Sequence, residues 1–362
     1  ATCNLDRNGL RPARYVITKN NWVTLASEVG VWDYDEADVV EKGRVGPGEM
    51  LVVDTQLGNI WRSREIDEAL KSRHPYSDWL VENIIRISSN DELEETAAQV
   101  YMQGPIQDLP LFEKLFSISN EEREHVIRVM AEDAVEATGS MGDDTPIAVM
   151  SRHPRPVYDY FRQQFAQVTN PPIDSLREKS AMSLETLFGR EHNIFHETST
   201  QARRVILPWP VLNIVKYRKL LELNPSWYAN QSFSLNYPEP EGLQTALERL
   251  CTDVSSAVKD GVVIIVLSDR DIERSKLPIP AALATGAVHP RQRRDGLRCD
   301  ANIIVETGSA RDAHQFAVLF GLGATAVYPY LAFQVINDLH ARGAIKGDLL
   351  HFRKQYRRGV RK

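Results

Sequence analysis

Apolar and polar positions change period along this chain, and each change predicts a different kind of element. In the first sixty residues the apolar runs are short, rich in β-branched and aromatic residues, and broken by turn formers. Residues 14–18 and 22–26 flank Lys19-Asn20-Asn21, and residues 50–54 and 59–61 flank Gly58. Both arrangements predict β-hairpins. From about residue 63 to 137 the spacing becomes helical, with Ile66 and Leu70, and then Trp79, Leu80, Ile84 and Ile85, placed at helix spacing. Ser119 or Asn120 is placed to cap a helix that carries Glu121 and Glu122 in its first turn and Val126, Val129 and Met130 on one face. Residues 141–146 form a polar turn feeding 147–150, which reads as a short buried strand. Between 151 and 200 the pattern is irregular: two proline pairs (Pro154/Pro156 and Pro171/Pro172) bracket an aromatic helical turn at 158–161. Pro208 and Pro210 then mark an ordered loop or helix start around Trp209.

The last third has the clearest pattern. Leu243, Leu247, Leu250, Val254 and Val258 form a helical stripe that Gly261 ends. Residues 262–267 are a continuous aliphatic run of the kind buried on both faces of a sheet. A helix at 280–288, a strand at 301–306, a helix at 312–320 and a strand at 324–328 follow. Strands alternating with helices predict right-handed βαβ units and a parallel sheet. The fold class is therefore α/β, with a parallel (β/α) barrel or half-barrel as the fitting architecture and a doubly wound sheet as the alternative.

Composition narrows the class. The chain has 362 residues, 43% of them apolar and 25% charged, as expected of a folded globular protein of about two domains. No apolar run reaches the eighteen residues of a membrane span. With 43 Lys+Arg against 49 Asp+Glu, the net charge of -6 argues against bulk nucleic-acid binding. The exception is 351–362, where Arg353, Lys354, Arg357, Arg358, Arg361 and Lys362 stand without an acid. Such a tail can touch RNA or anionic lipid, but a connecting segment of a longer protein is the simpler reading. Cys3, Cys251 and Cys299 are scattered and form no CxxC pair, which disfavours a disulfide scaffold, a zinc ribbon or an iron–sulfur site within the chain and fits a reducing, cytoplasmic setting. The opening Ala1-Thr2-Cys3-Asn4, without Met or leader, reads as a fragment boundary.

Four groups carry possible chemistry. Gly321-Leu322-Gly323-Ala324-Thr325-Ala326 fits a dinucleotide fingerprint, G-x-G-x-x-A, in letters but not in context, because the helix precedes it and the strand follows; a helix stop and tight turn is the better reading. His192 and His196 would share a helix face and could hold a metal, yet no accompanying acid pattern supports this. Asp143-Asp144 could take Mg²⁺ but lacks a phosphate loop or further acidic partner, so a turn is expected. Asn8-Gly9 could form an oxyanion hole and equally forms a tight turn.

Longer motifs point to one family. Leu5-Asp6-Arg7-Asn8-Gly9-Leu10-Arg11-Pro12-Ala13-Arg14-Tyr15, Ala26-Ser27-Glu28 and Lys42-Gly43-Arg44-Val45-Gly46-Pro47-Gly48 resemble the end of the amidotransferase domain of glutamate synthase large subunits. The stretches 140–146 and 158–174, with Leu267-Ser268-Asp269-Arg270 and Val305-Glu306-Thr307-Gly308, resemble that family's central domain.

The resemblance implies a segment of an enzyme that makes L-glutamate from L-glutamine and 2-oxoglutarate. Residues 1–85 would be the β-rich tail of an N-terminal-nucleophile amidotransferase domain. Residues 86–350 would be a barrel-like central domain, and 351–362 a connector toward an FMN-binding domain. It implies no catalytic, cofactor or metal residue here. Position 1 is Ala, and the amine of Cys3 is blocked, so the family's nucleophile is missing. The family's oxyanion-hole pair lies upstream, which leaves Asn8-Gly9 a structural motif. Two tunnel residues carry over by motif: Met141 and Thr169 would narrow an ammonia passage. FMN, a 3Fe-4S cluster and NADPH or ferredoxin as electron donor belong to the full enzyme. Its partners would be the amidotransferase and FMN domains of the same subunit and a small NADPH-oxidising flavoprotein. The competing reading is an autonomous flavin- or phosphate-binding barrel enzyme, which would need a phosphate-gripping glycine loop at a helix start.

Overall fold

The computed structural model describes residues 1–6, 9–87, 106–136, 146–152, 155–161, 173 and 175–361. They form two compact units, Ala1–Glu82 and Asn83–Lys362.

Among its described residues the smaller unit holds six strands: β1 (Thr2–Asn4), β2 (Ala13–Thr18), β3 (Val23–Ala26), β4 (Val39–Val45), β5 (Met50–Asp54) and β6 (Asn59–Arg62). They make two three-stranded sheets, in the orders β1-β5-β6 and β3-β2-β4, and every pairing is antiparallel. Both expected hairpins are present, turning at Asn21 (φ 60) and Gly58 (φ 71). Leu5, Ala13, Tyr15, Val45 and Leu51 make the core. β4 was not expected, because its valines are separated by Glu41, Lys42 and Arg44. Pairing with β2 makes it a strand, and Glu41 accepts hydrogen bonds from Tyr15 Oη at 2.8 Å and Arg62 Nη2 at 2.6 Å. Gly43 is required there: a Cβ would lie 2.4 Å from the Tyr15 ring. Helices Ser63–Lys71 and Tyr76–Asn83 follow β6.

In the larger unit β7 (Ile85–Arg86), β8 (Thr186–Phe188) and β9 (Val205–Leu207) form a sheet in the order β7-β9-β8. Ile84 and Ile85, expected to be helical, instead lie just before and within β7, since Ile85 pairs with Val205. The principal sheet comprises β10 (Asn230–Ser234), β12 (Ile264–Ser268), β14 (Asn302–Glu306) and β15 (Ala326–Tyr328), paired in parallel in that order. β11 (Asn236–Pro238) and β13 (Lys276–Pro278) pair beside it. Helices Leu243–Lys259, Ala281–Arg294 and Ala313–Gly321 connect the parallel strands.

Alternate side chains of the sheet enter two cores. Ile264, Val266, Ile304, Ala326 and Tyr328 pack with helices Ile214–Leu221 and Tyr330–Ala341. Ile265, Leu267, Ile303, Val305 and Val327 pack with Leu243–Lys259 and Ala281–Arg294. Burial on both faces is why these strands read as continuous apolar runs rather than alternating ones. The unit is α/β with a parallel sheet, as expected, and no closed ring of strands is present among the described residues.

Two further expectations differ. Residues 147–150 are not a buried strand: they end in a turn with Val149 87% and Met150 92% exposed, and no strand pairs with them among the described residues. The basic stretch, for which the sequence suggested no regular element, is helical over its described residues: the helix Leu349–Arg361 buries Phe352 and Tyr356 in the first core. Arg358 and Arg361 lie at positions away from the core, while Arg357 is buried beside Tyr356, a period that composition alone obscures.

Candidate functional site at the carboxyl ends of the parallel strands

Parallel strands deliver whatever follows their carboxyl ends to one edge of the sheet. Here that edge receives Ser268-Asp269-Arg270 from β12, Glu306-Thr307-Gly308-Ser309 from β14 and Tyr328-Pro329-Tyr330 from β15. Asp269 is 1% exposed. One carboxylate oxygen accepts from Thr307 Oγ1 at 2.5 Å and the other from the Gly308 amide at 2.9 Å. The Tyr330 hydroxyl faces the same group. Burial outweighs these donors and pushes the Asp269 carboxyl up to about 7. Hydroxyls continue outward from it: Thr307 Oγ1 lies 2.8 Å from Ser309 Oγ, which lies 2.9 Å from Tyr158 Oη.

Glu306 is the second buried acid. It accepts from Ser268 Oγ at 2.8 Å, Arg270 Nη1 at 2.8 Å and Tyr217 Oη at 3.0 Å. Arg270 also lies over the Tyr330 ring at 4.7 Å, a cation–π contact, and Tyr217 stacks on Tyr328 at 4.8 Å between centroids. Burial and the Glu306 charge push the Tyr217 phenol far up, so it stays a donor.

Arg311, 2% exposed, closes the network. It donates to the carboxylate of Glu122, to the carbonyls of Phe116 and Ser117, each at 3.2 Å, and to that of Ser309 at 3.1 Å. Ser119, one of the two expected N-caps, is the cap, and Glu122 completes it reciprocally: its amide donates to Ser119 Oγ at 3.2 Å and its carboxylate accepts from the Ser119 amide at 3.0 Å. Tyr356 Oη donates to the Arg311 carbonyl at 2.9 Å. The loop after β14 is thereby tied to the helical run that starts at Asn120 and to the last helix. Gly308 sits so close to Phe116 that a Cβ would lie 2.7 Å from its ring.

The two buried acids and the two arginines thus all have protein partners, an arrangement that locks elements together. Sequence reasoning marked 267–270 and 305–308 as motifs but assigned them no chemistry, and it missed Tyr158, Tyr217, Ser309, Arg311 and Tyr330. The available signal was the run Glu306-Thr307-Gly308-Ser309, polar residues directly after a strand buried on both faces.

The other candidates are placed as follows. His192 and His196 lie in irregular backbone, so the helical spacing that would bring them together does not exist. Burial, with Arg204, Arg190 and Arg203 nearby, lowers the His192 pKa. Among the described residues no group of His, Cys, Asp or Glu is arranged to hold a metal. Gly321-Leu322-Gly323 ends the helix Ala313–Gly321, with Gly323 at φ +110. Gly9, at φ +61, donates to the Asp6 carbonyl at 3.0 Å and so makes a turn. Asn8, Met141, Asp143, Asp144 and Thr169 lie outside the described residues. All three cysteines are free thiols. No helix among the described residues is long and apolar enough to cross a membrane.

Comparison with known proteins decides the family. The glutamate synthase central domain profile matches residues 112–362, and that of class-II glutamine amidotransferases matches residues 1–79. This chain belongs to the glutamate synthase family. It is 42% identical over 347 residues to the glutamate synthase [NADPH] large chain of Azospirillum brasilense, covering 94% of this chain and 22% of that one. The glutamate synthase [NADH] of Schizosaccharomyces pombe is 36% identical over 353 residues, covering 95% of this chain and 17% of that protein. The chloroplastic ferredoxin-dependent glutamate synthase of Spinacia oleracea is 42% identical over 341 residues, covering 92% and 20%. The chain therefore spans about a fifth of the length of these glutamate synthases.

Proposed function

We propose that this chain is the stretch of a glutamate synthase that joins the amidotransferase to the flavin-bearing part of the same polypeptide, and that it walls the ammonia passage between them. The observation that carries this reading is the pair of family matches in one chain, amidotransferase over 1–79 and central domain over 112–362. On this reading 1–85 completes the amidotransferase and 86–350 is a barrel-like central domain. Residues 351–362 lead toward the FMN domain. The whole enzyme forms L-glutamate from L-glutamine and 2-oxoglutarate in the cytoplasm. FMN, the 3Fe-4S cluster and the small flavoprotein lie outside this chain, and the electron donor is NADPH or ferredoxin.

A rigid wall suits the interlocked Asp269, Glu306 and Arg311, whose hydrogen bonds hold layers in register. The chain itself supplies no catalytic group. Met141 and Thr169 act on the passage: a thioether seals a gap yet moves, and a hydroxyl offers both a donor and an acceptor to ammonia. In the full-length synthase Thr169→Val and Met141→Ala should leave folding near native. Each should raise the ratio of glutamine hydrolysed to 2-oxoglutarate consumed. An unchanged ratio in both variants would reduce the two residues to packing.

A further inference from the structure

The loop that follows β8 displays two large apolar side chains on a fixed turn. Ile194 is 76% and Phe195 85% exposed. Exposed apolar residues are ordinary when scattered, but these two are adjacent and the backbone beneath them is pinned. The Phe195 amide donates to Asn193 Oδ1 at 3.0 Å and the His196 amide to the Asn193 carbonyl at 2.9 Å. From across the loop, Gln201 Nε2 donates to the Asn193 carbonyl at 2.8 Å and also to the His196 carbonyl. The approach is anchored as well: the Gly189 amide donates to Asn302 Oδ1 at 2.8 Å and the Glu191 amide to the Cys299 carbonyl at 2.7 Å. Asn302 opens β14, so the approach to the turn is tied to the amino end of that strand, while the Asp269–Glu306–Arg311 network lies past the carboxyl ends. The same segment exposes Leu187 on the edge strand β8 (52%), with Met182 (64%) just before it.

A turn held in one geometry has already given up the freedom that docking would remove, which is how a preorganised anchor gains affinity. An exposed aromatic in such a place is the residue type that dominates binding energy at interface centres. Two adjacent side chains exposed to this degree offer nothing that encloses a small molecule, and suit a socket on a protein surface. The relatives named above are covered over only 22%, 17% and 20% of their length, so most of such a polypeptide lies outside this segment and is available to cover it.

We propose that Ile194 and Phe195 form an anchor that inserts into an apolar socket on another domain of the same synthase polypeptide, which rests on the reading of this chain as a synthase segment. Hydroxyl-radical labelling of Phe195 tests it on the native full-length polypeptide, with the urea-unfolded polypeptide as reference. An inserted ring should be labelled about tenfold or more slowly in the native protein, as for a desolvated interface centre, and the protection should persist on dilution. Labelling as fast as in the unfolded reference would overturn the proposal. Protection that disappears on dilution would also overturn it, because the occupant would then be a second copy. The readout is separate from the glutamine to 2-oxoglutarate ratio, so failure of the channel assignment leaves this result standing, and the reverse.

Discussion

Replacing Asp269 by Asn isolates the energetic consequence of burying a carboxyl at the sheet edge. In the fold this group is pushed up to about 7, chiefly by burial and further by the Glu306 charge, against the donors Thr307, Gly308 and Tyr330. The folded value is raised above the unfolded value of about 3.8, so the folded chain holds this proton more tightly. Its contribution to stability is therefore fullest below pH 4 and is lost as pH rises toward and through 7. One unit corresponds to about 1.4 kcal/mol. Integrated between pH 5 and pH 8, the shift removes about 2–3 kcal/mol of stability from the parent. Asn has the same shape, accepts from the Gly308 amide and donates to Thr307 Oγ1, whose proton then turns to Ser309; it does not titrate. The parent should therefore lose about 2–3 kcal/mol relative to the Asn variant on going from pH 5 to pH 8. Urea unfolding followed by amide exchange in β12 and β14 reads the relevant unit, and the parent-minus-variant difference cancels histidines common to both. A difference that stays constant within about 0.5 kcal/mol at the two pH values would refute the reasoning.

Arg311→Met should destabilise the larger unit by about 3–5 kcal/mol, because the carbonyls of Phe116, Ser117 and Ser309 and the Glu122 carboxylate lose a buried cation together; a denaturant midpoint close to the parent's would contradict it. Ser119→Ala removes the reciprocal cap and should cost about 1 kcal/mol in the same measurement, without altering the slope with denaturant. Gly323→Ala should cost about 1–3 kcal/mol from backbone strain at φ +110. It should also displace the His289 ring, 2.3 Å from the new Cβ, and so break its hydrogen bond from Arg298 Nε at 2.9 Å; an unchanged His289 environment by NMR would count against this.

Sequence by itself determined the elements whose cause is local. Residues 262–267, apolar at every position, and 301–306, apolar at Ala301 and through 303–305, read as buried strands because the flanks carry helix and turn signals. The β2–β3 and β5–β6 hairpins followed from turn formers between β-branched runs. Ser119 or Asn120, followed by acids in the next turn, announced a helix start through neighbouring residues alone. The family was legible in long motifs for the same reason, since contiguous residues need no folding to be compared.

Tertiary structure decided whatever depends on a distant partner. β4 is a strand because β2 lies beside it, whereas the similarly apolar 147–150 has no such neighbour among the described residues and stays exposed. The basic stretch at the end became a core helix because its aromatic residues meet the helix Tyr330–Ala341: Phe333 and Tyr356 lie edge to face at 5.6 Å. The polar network is the extreme case. Arg311 meets Glu122 across 189 residues of chain and Tyr217 meets Glu306 across 89. A local period records which side of an element is apolar, but the partner of a buried charge is set only when the sheet brings strand ends together. Asp269 owes its raised pKa to that closure, since desolvation is a property of the packed interior and not of any run of residues.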